Sequence, residues 1–259
     1  MVRAPRSPRV TREARAKAGP TDVRHANSTF AGVVGWRRTS SMSTPGRTPW
    51  TAITIVEVYH CVVRPLVLAS SSPRRAEILQ AAGLPFVVRP ASVDETRHAD
   101  EAPAAYVRRL AVSKACAATA APHELVLGAD TVVVVADGGS GLVCLGKPAD
   151  AADAAAMLHQ LAGRSHEVLT GVALVRAREP VAVDVAVTRV TFAPMRDSDV
   201  AWYVATPEPY DKAGGYAVQG LASRFVTAIE GSYANVVGLP VELVCRLISG
   251  AGENILEGP

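Results

Sequence analysis

The sequence predicts a mixed α/β domain, and three observations carry that prediction. From Leu66 onward, short apolar runs alternate with amphipathic ones, the pattern of strands interleaved with helices. The loop Asp137-Gly138-Gly139-Ser140-Gly141 joins two strand-like runs directly, so part of the sheet is antiparallel. The chain has 259 residues, 49% hydrophobic and 20% charged, enough for one sizeable core with helices flanking a mixed sheet.

The elements follow in order. Leu66–Ser70 reads as a strand and Pro73–Ala82 as a helix that stops at Gly83. Phe86–Arg89 is a second strand. Pro103–Thr119 is a helix with Val107, Leu110, Lys114 and Ala117 on one face. Leu125–Ala136 and Val143–Leu145 form the hairpin. Ala151–Ala162 is a helix with Asp150 as N-cap and Gly163 as its stop. Glu167–Ala177 and Val181–Phe192 are long strands joined by a turn at Arg178-Glu179-Pro180. Asp199–Thr206 is a helix, Ser223–Ile229 a strand and Leu239–Ser249 a final helix.

Residues 1–63 stand apart. They are rich in Arg, Ser, Thr and Pro, and periodicity is absent until Ile53-Thr54-Ile55-Val56. Residues 1–64 hold 11 of the 27 Lys and Arg but 3 of the 24 Asp and Glu, a net +8 that leaves −5 for the remainder. The segment is expected to be disordered or non-native: a transit-like sequence, a start placed too far upstream, or a polyanion-binding arm. The domain proper is residues 64–259. Its acidic balance argues against nucleic acid as a partner. Four dispersed cysteines (Cys61, Cys116, Cys144, Cys245) read as reduced thiols of a cytoplasmic protein. No run of 18 apolar residues predicts a membrane span.

The chemistry concentrates at strand ends. Ser70-Ser71-Ser72-Pro73-Arg74-Arg75 links a strand to a helix start, with Pro73 suited to the first helical position and serine hydroxyls available as caps. Open N–H groups, the positive end of the helix dipole and two guanidinium forks make this an anion site, or else an ordinary solvated helix start. Asp130, in Gly128-Ala129-Asp130-Thr131, interrupts an apolar strand. It is a metal ligand or general base, or a strand-end carboxylate at the sheet edge. Gly128 allows close approach of a backbone or a ligand. Asp94-Glu95 is solvated surface or, with Asp130, a seat for a hard divalent cation. Lys114, the one charge among the apolar positions of its helix face, reads as snorkelling to solvent, whereas Lys147 and Lys212 in their glycine-bearing loops are candidates to meet phosphate. The glycines match neither a dinucleotide fingerprint nor a P-loop.

Together Leu68–Arg75, Gly128–Thr131, Gly146-Lys147-Pro148, Asp211–Tyr216, Gln219-Gly220, Gly231-Ser232-Tyr233 and Val237–Pro240 resemble, in order and spacing, the Maf (septum formation) nucleoside triphosphate pyrophosphatases. The resemblance runs from about Leu66 to Ser249. It implies a fold related to the inosine triphosphate pyrophosphatases, with an elongated substrate cleft and often a homodimer. It implies hydrolysis between the α- and β-phosphates with a divalent cation, Mg2+ or Mn2+. Carried over by position, Asp130 is the catalytic acceptor and Glu95 assists with metal or water. Lys114, Lys147, Arg75 and the Ser72 turn bind phosphate. Arg74, Thr131 and Gln219 match the dTTP/UTP type, whereas the 7-methyl-GTP type has an aromatic residue, Gln and Glu there. The Gln219 amide offers a uracil or thymine edge both a donor and an acceptor. Another base, or a regulator of septation without turnover, are the competing expectations.

Overall fold

The computed structural model describes residues 65–253 apart from Ser140. The reading of residues 1–63, and Cys61 with it, falls outside the described residues. The strands are β1 (Leu66–Leu68), β2 (Phe86–Val88), β3 (Val126–Ala136), β4 (Leu142–Leu145), β5 (Ser165–Arg176), β6 (Glu179–Phe192) and β7 (Val226–Glu230). The α-helices are α1 (Pro73–Ala81), α2 (Pro103–Ala117), α3 (Ala151–Leu161), α4 (Asp197–Val204), α5 (Tyr233–Val237) and α6 (Val241–Gly250).

One seven-stranded sheet has the order β2-β1-β3-β5-β6-β7, with β4 added to β3. β1 runs parallel to β2 and β3, and the other pairings are antiparallel. On one edge of β3, β1 covers Val126 and Leu127 and β4 covers Val133 to Ala136. Between them residues 128–132 have no strand partner on that side. This break in the ladder lies just past the carboxyl end of β1, where open α/β sheets place ligands.

Helix α2 lies across β3 and β5 at two glycines. A Cβ on Gly128 would stand 2.1 Å from the Ala111 carbonyl oxygen, and one on Gly171 would stand 2.3 Å from that of Val107. Val107, Leu110, Ala111 and Ala115 form its buried face. On the rest of the sheet, Leu66, Leu68, Leu79, Leu127, Leu174 and Leu243 form one apolar cluster, and Leu158, Leu161, Phe192, Tyr203 and Phe225 anchor another.

Several sequence expectations shift. The β5–β6 turn is Ala177-Arg178, both left-handed at φ 50° and 67°, which suits the twist of a two-residue hairpin. Glu179 and Pro180 already pair with Arg176 and Val175, so the expected turn was placed too late. Residues 221–225 form a 3-10 turn before β7 rather than its first half. Leu239 and Pro240 precede α6, and α5 was not expected at all, because five residues carry no readable period. The Asp150 cap is made, its Oδ1 accepting from Asp153 N at 2.8 Å. Ser72, by contrast, makes no side-chain cap bond.

Candidate active site

The break in β3 opens a cleft of about 390 Å³. Ser72, Arg74, Arg75, Glu95, Lys114, Asp130, Thr131, Lys147 and Gln219 all line it, as does Lys212, whereas Asp94 and Gly128 do not. Strand alternation sends Asp130 to the same face as Gly128, toward α2, and Thr131 to the opposite face.

Asp130 is 7% exposed. Its carboxylate pKa is raised by burial, against the pull of Lys114 and Arg75. Lys114, near the last turn of α2, donates to Asp130 Oδ1 at 2.6 Å, and its Nζ also lies 2.6 Å from Glu95 Oε1. It therefore borders the buried face instead of snorkelling to solvent. The loop carrying Glu95 is tied down from α2. Tyr106 Oη donates to the Glu95 carbonyl at 2.9 Å, and Arg109 grips Thr96 O and the Glu101 carboxylate at 2.8–3.0 Å.

The two arginines at the α1 start behave differently. Arg75 is buried and turned into the fold. Its Nε donates to Gly238 O at 2.9 Å, Nη1 to Ala129 O at 2.7 Å and Ser70 Oγ at 3.2 Å, and Nη2 to Thr131 Oγ1 at 3.2 Å. Its guanidinium thus takes the place of the missing strand partner of β3, leaving one N–H for a ligand. Arg74 reaches the cleft and is held by Asp211, with Nη1 at 2.7 Å from Oδ2 and Nη2 at 3.2 Å from its carbonyl. Against a burial that pushes the other way, Lys212 and Arg74 hold the Asp211 carboxyl down to about 2. Lys147 is exposed at the cleft and makes no ion pair with a described residue.

The uncapped α1 terminus matters here. Pro73 has no N–H, and Ser72 leaves the next amides without a hydroxyl partner, so the helix tip faces the cleft with donors to offer. Thr131 Oγ1 is engaged with Arg75 and, at 2.9 Å, with Thr170 Oγ1. Gln219, exposed at the cleft, makes no hydrogen bond to a described residue. Sequence reasoning missed Tyr106 and the clamp that Asp211 puts on Arg74, contacts that span 11 and 137 residues and leave no local pattern. His166 is buried against Tyr216 at 2.8 Å, and burial pushes its pKa down to about 4, so it stays neutral in the core.

Glu95 and Asp130 could hold a hard divalent cation. The two carboxylates already converge on one ammonium, and their oxygens are the donors Mg2+ prefers. No cluster of three or more His, Cys, Asp or Glu occurs among the described residues, so further ligands would come from phosphate and water.

A mixed α/β fold whose cleft sets a cationic helix tip beside one buried and one exposed acid is of the class that suits a phosphorylated ligand. The chain belongs to the Maf family, whose model, described as Maf-like protein, matches residues 65–251. A protein of Symbiobacterium thermophilum described as dTTP/UTP pyrophosphatase is 50% identical over 194 residues, 74% of this chain and 97% of that one. One of Koribacter versatilis with the same description is 50% identical over 188 residues, 72% of this chain and 94% of its own length. A third, of Syntrophus aciditrophicus, is 45% identical over 195 residues, covering 74% and 93%. A solved nucleoside-triphosphatase/dITP/XTP pyrophosphatase of Mycobacterium abscessus is 17% identical over 73% of this chain and 95% of its own, with a TM-score of 0.32, too low to bear weight. No helix among the described residues is long and apolar enough to cross a membrane.

Proposed function

We propose that this chain hydrolyses dTTP and UTP to the monophosphate and pyrophosphate. The observation that carries the reading is the placement of the Lys114–Asp130–Glu95 set in the same cleft as the open α1 terminus, Arg74 and Lys147. The description shared by relatives at 45–50% identity supports the substrate class.

The triphosphate lies between the α1 tip and the carboxylates. Lys147, Lys114 and the amides of the α1 start take the phosphate charge. Asp130 orients a water and accepts its proton as the oxygen attacks the α-phosphorus. The bond to the bridging oxygen breaks, and pyrophosphate carries away the electron pair. A carboxylate whose pKa is raised by burial is better matched to that proton than a solvated one. Glu95 and Asp130 would hold Mg2+ or Mn2+, which when bound neutralises charge on the phosphate oxygens. Gln219 meets the base edge.

Pyrophosphate release from dTTP, UTP, CTP, GTP, 7-methyl-GTP and ITP, with Mg2+ or Mn2+, tests the proposal. The two named pyrimidine nucleotides should lead. Preference for a purine would remove the base assignment, and tight binding without release would make the chain a nucleotide-binding regulator.

A further inference from the structure

Gln219 sits at the third position of a tight turn in which Gly220 N donates to Ala217 O at 3.1 Å. The turn is anchored from within by Val218, which is 7% exposed and packs into the apolar core. Its two shoulders are fixed by a pair of residues well outside it. Tyr203 on α4 is 0% exposed, and its hydroxyl accepts from Ala217 N at 3.2 Å while donating to Glu208 Oε1 at 2.8 Å. Glu208 in turn accepts from Leu221 N at 2.9 Å and Ala222 N at 3.2 Å. Gly220 supplies the space, since a Cβ there would stand 2.1 Å from Glu208 Oε2. The Glu208 carbonyl also takes Lys212 Nζ at 2.8 Å, tying the same frame to the Arg74 clamp through Asp211.

We infer that Tyr203 and Glu208 are positioning residues for Gln219, and through it set which nucleobase the cleft accepts. The inference rests on the reading of Gln219 given above. One hydroxyl and one carboxylate hold the turn at both ends, so the backbone that presents the amide is in place before the base arrives. Without them the turn stays in the chain but the amide wanders, and discrimination falls while the phosphate contacts persist. A carboxylate receiving a buried phenol and two backbone amides is otherwise an expensive way to hold a surface turn.

The test compares wild type with Tyr203→Phe and Glu208→Gln for UTP and GTP. The kcat/KM ratio of UTP over GTP should fall about tenfold, the worth of one well-oriented polar pair, and fall through KM for UTP with kcat nearly unchanged. Gly220→Ala keeps a residue with negative φ and drives its methyl first against the Glu208 carboxylate, so it should move the ratio the same way even where a core variant fails to fold. Equal losses on both nucleotides, an unchanged ratio, or a wild type that does not distinguish the bases would each overturn the inference. If wild type releases no pyrophosphate from any nucleotide, the proposed function falls instead. The same ratio, read as calorimetric Kd values for UTP and GTP, then still decides the positioning role.

Discussion

Lys114 Nζ stands 2.6 Å from Asp130 Oδ1, across the contact of helix α2 with strand β3. The charge balance of the site thereby depends on how closely a helix packs on a sheet. Glu95 Oε1 shares the same ammonium at 2.6 Å. One lysine thus keeps two acids together in a partly dry cleft, where like charges would otherwise repel.

Replacing Asp130 by Asn should lower kcat by about 10³-fold, the scale of a lost general base. The fold should hold or gain stability at neutral pH. Burial raises the pKa of this carboxyl, so its ionisation opposes folding as pH rises through the folded value, and Asn removes that opposition. Pyrophosphate release and a melting curve of the same variant check both halves.

Lys114→Met should cost on the order of 100-fold in kcat/KM at neutral pH, the scale of one lost electrostatic contact to a transition state. It also removes the partner that pulls the Asp130 pKa down. The acid limb of the pH–rate profile should therefore move to higher pH. An acid limb that stays in place would detach Lys114 from Asp130.

Gly128→Ala or Gly171→Ala should destabilise by about 1–3 kcal/mol or more, because the new methyl meets the α2 backbone and no flexible side chain can yield. Activity should fall further than stability predicts, since Lys114 rides on the displaced helix. Denaturant unfolding alongside kcat separates the two effects.

Arg109→Lys keeps the charge but loses the fork on Glu101 and the bond to Thr96. Turnover should drop on the order of 10- to 100-fold as the Glu95 loop loosens. Arg109 holds the Glu101 carboxyl down to about 2, so its contribution to stability is present above the unfolded value of 4.5 and is lost as pH falls toward 2. Melting temperatures across that window should fall steeply for wild type and more gently for the variant.

Much of the site was legible because its residues sit at positions with strong local rules. Asp130 stood out as an acid in an apolar strand, and Pro73 with Gly83 bracketed a helix whose start is basic. The roles inside that set were less legible. Arg74 and Arg75 are adjacent, chemically identical and both border the cleft, yet one is clamped by Asp211 and the other fills a gap in the ladder of β3. Gly128 could have faced a ligand or a backbone, and it faces α2. Helix α5 and the 3-10 turns were too short for periodicity to register.

The sequence by itself determined the mixed α/β class, most element positions and the identity of the charged residues at the strand ends. Those follow from hydrophobic period, capping and turn chemistry, which act over a few neighbouring residues. The tertiary structure alone decided that β1 and β4 share one edge of β3 and leave residues 128–132 open between them. It also decided that Lys114, Glu95 and Asp130 meet there, and that Tyr203 and Glu208 bond the backbone on either side of Gln219. Such contacts join segments far apart in the chain, and their energy comes from packing and charge that no local pattern encodes.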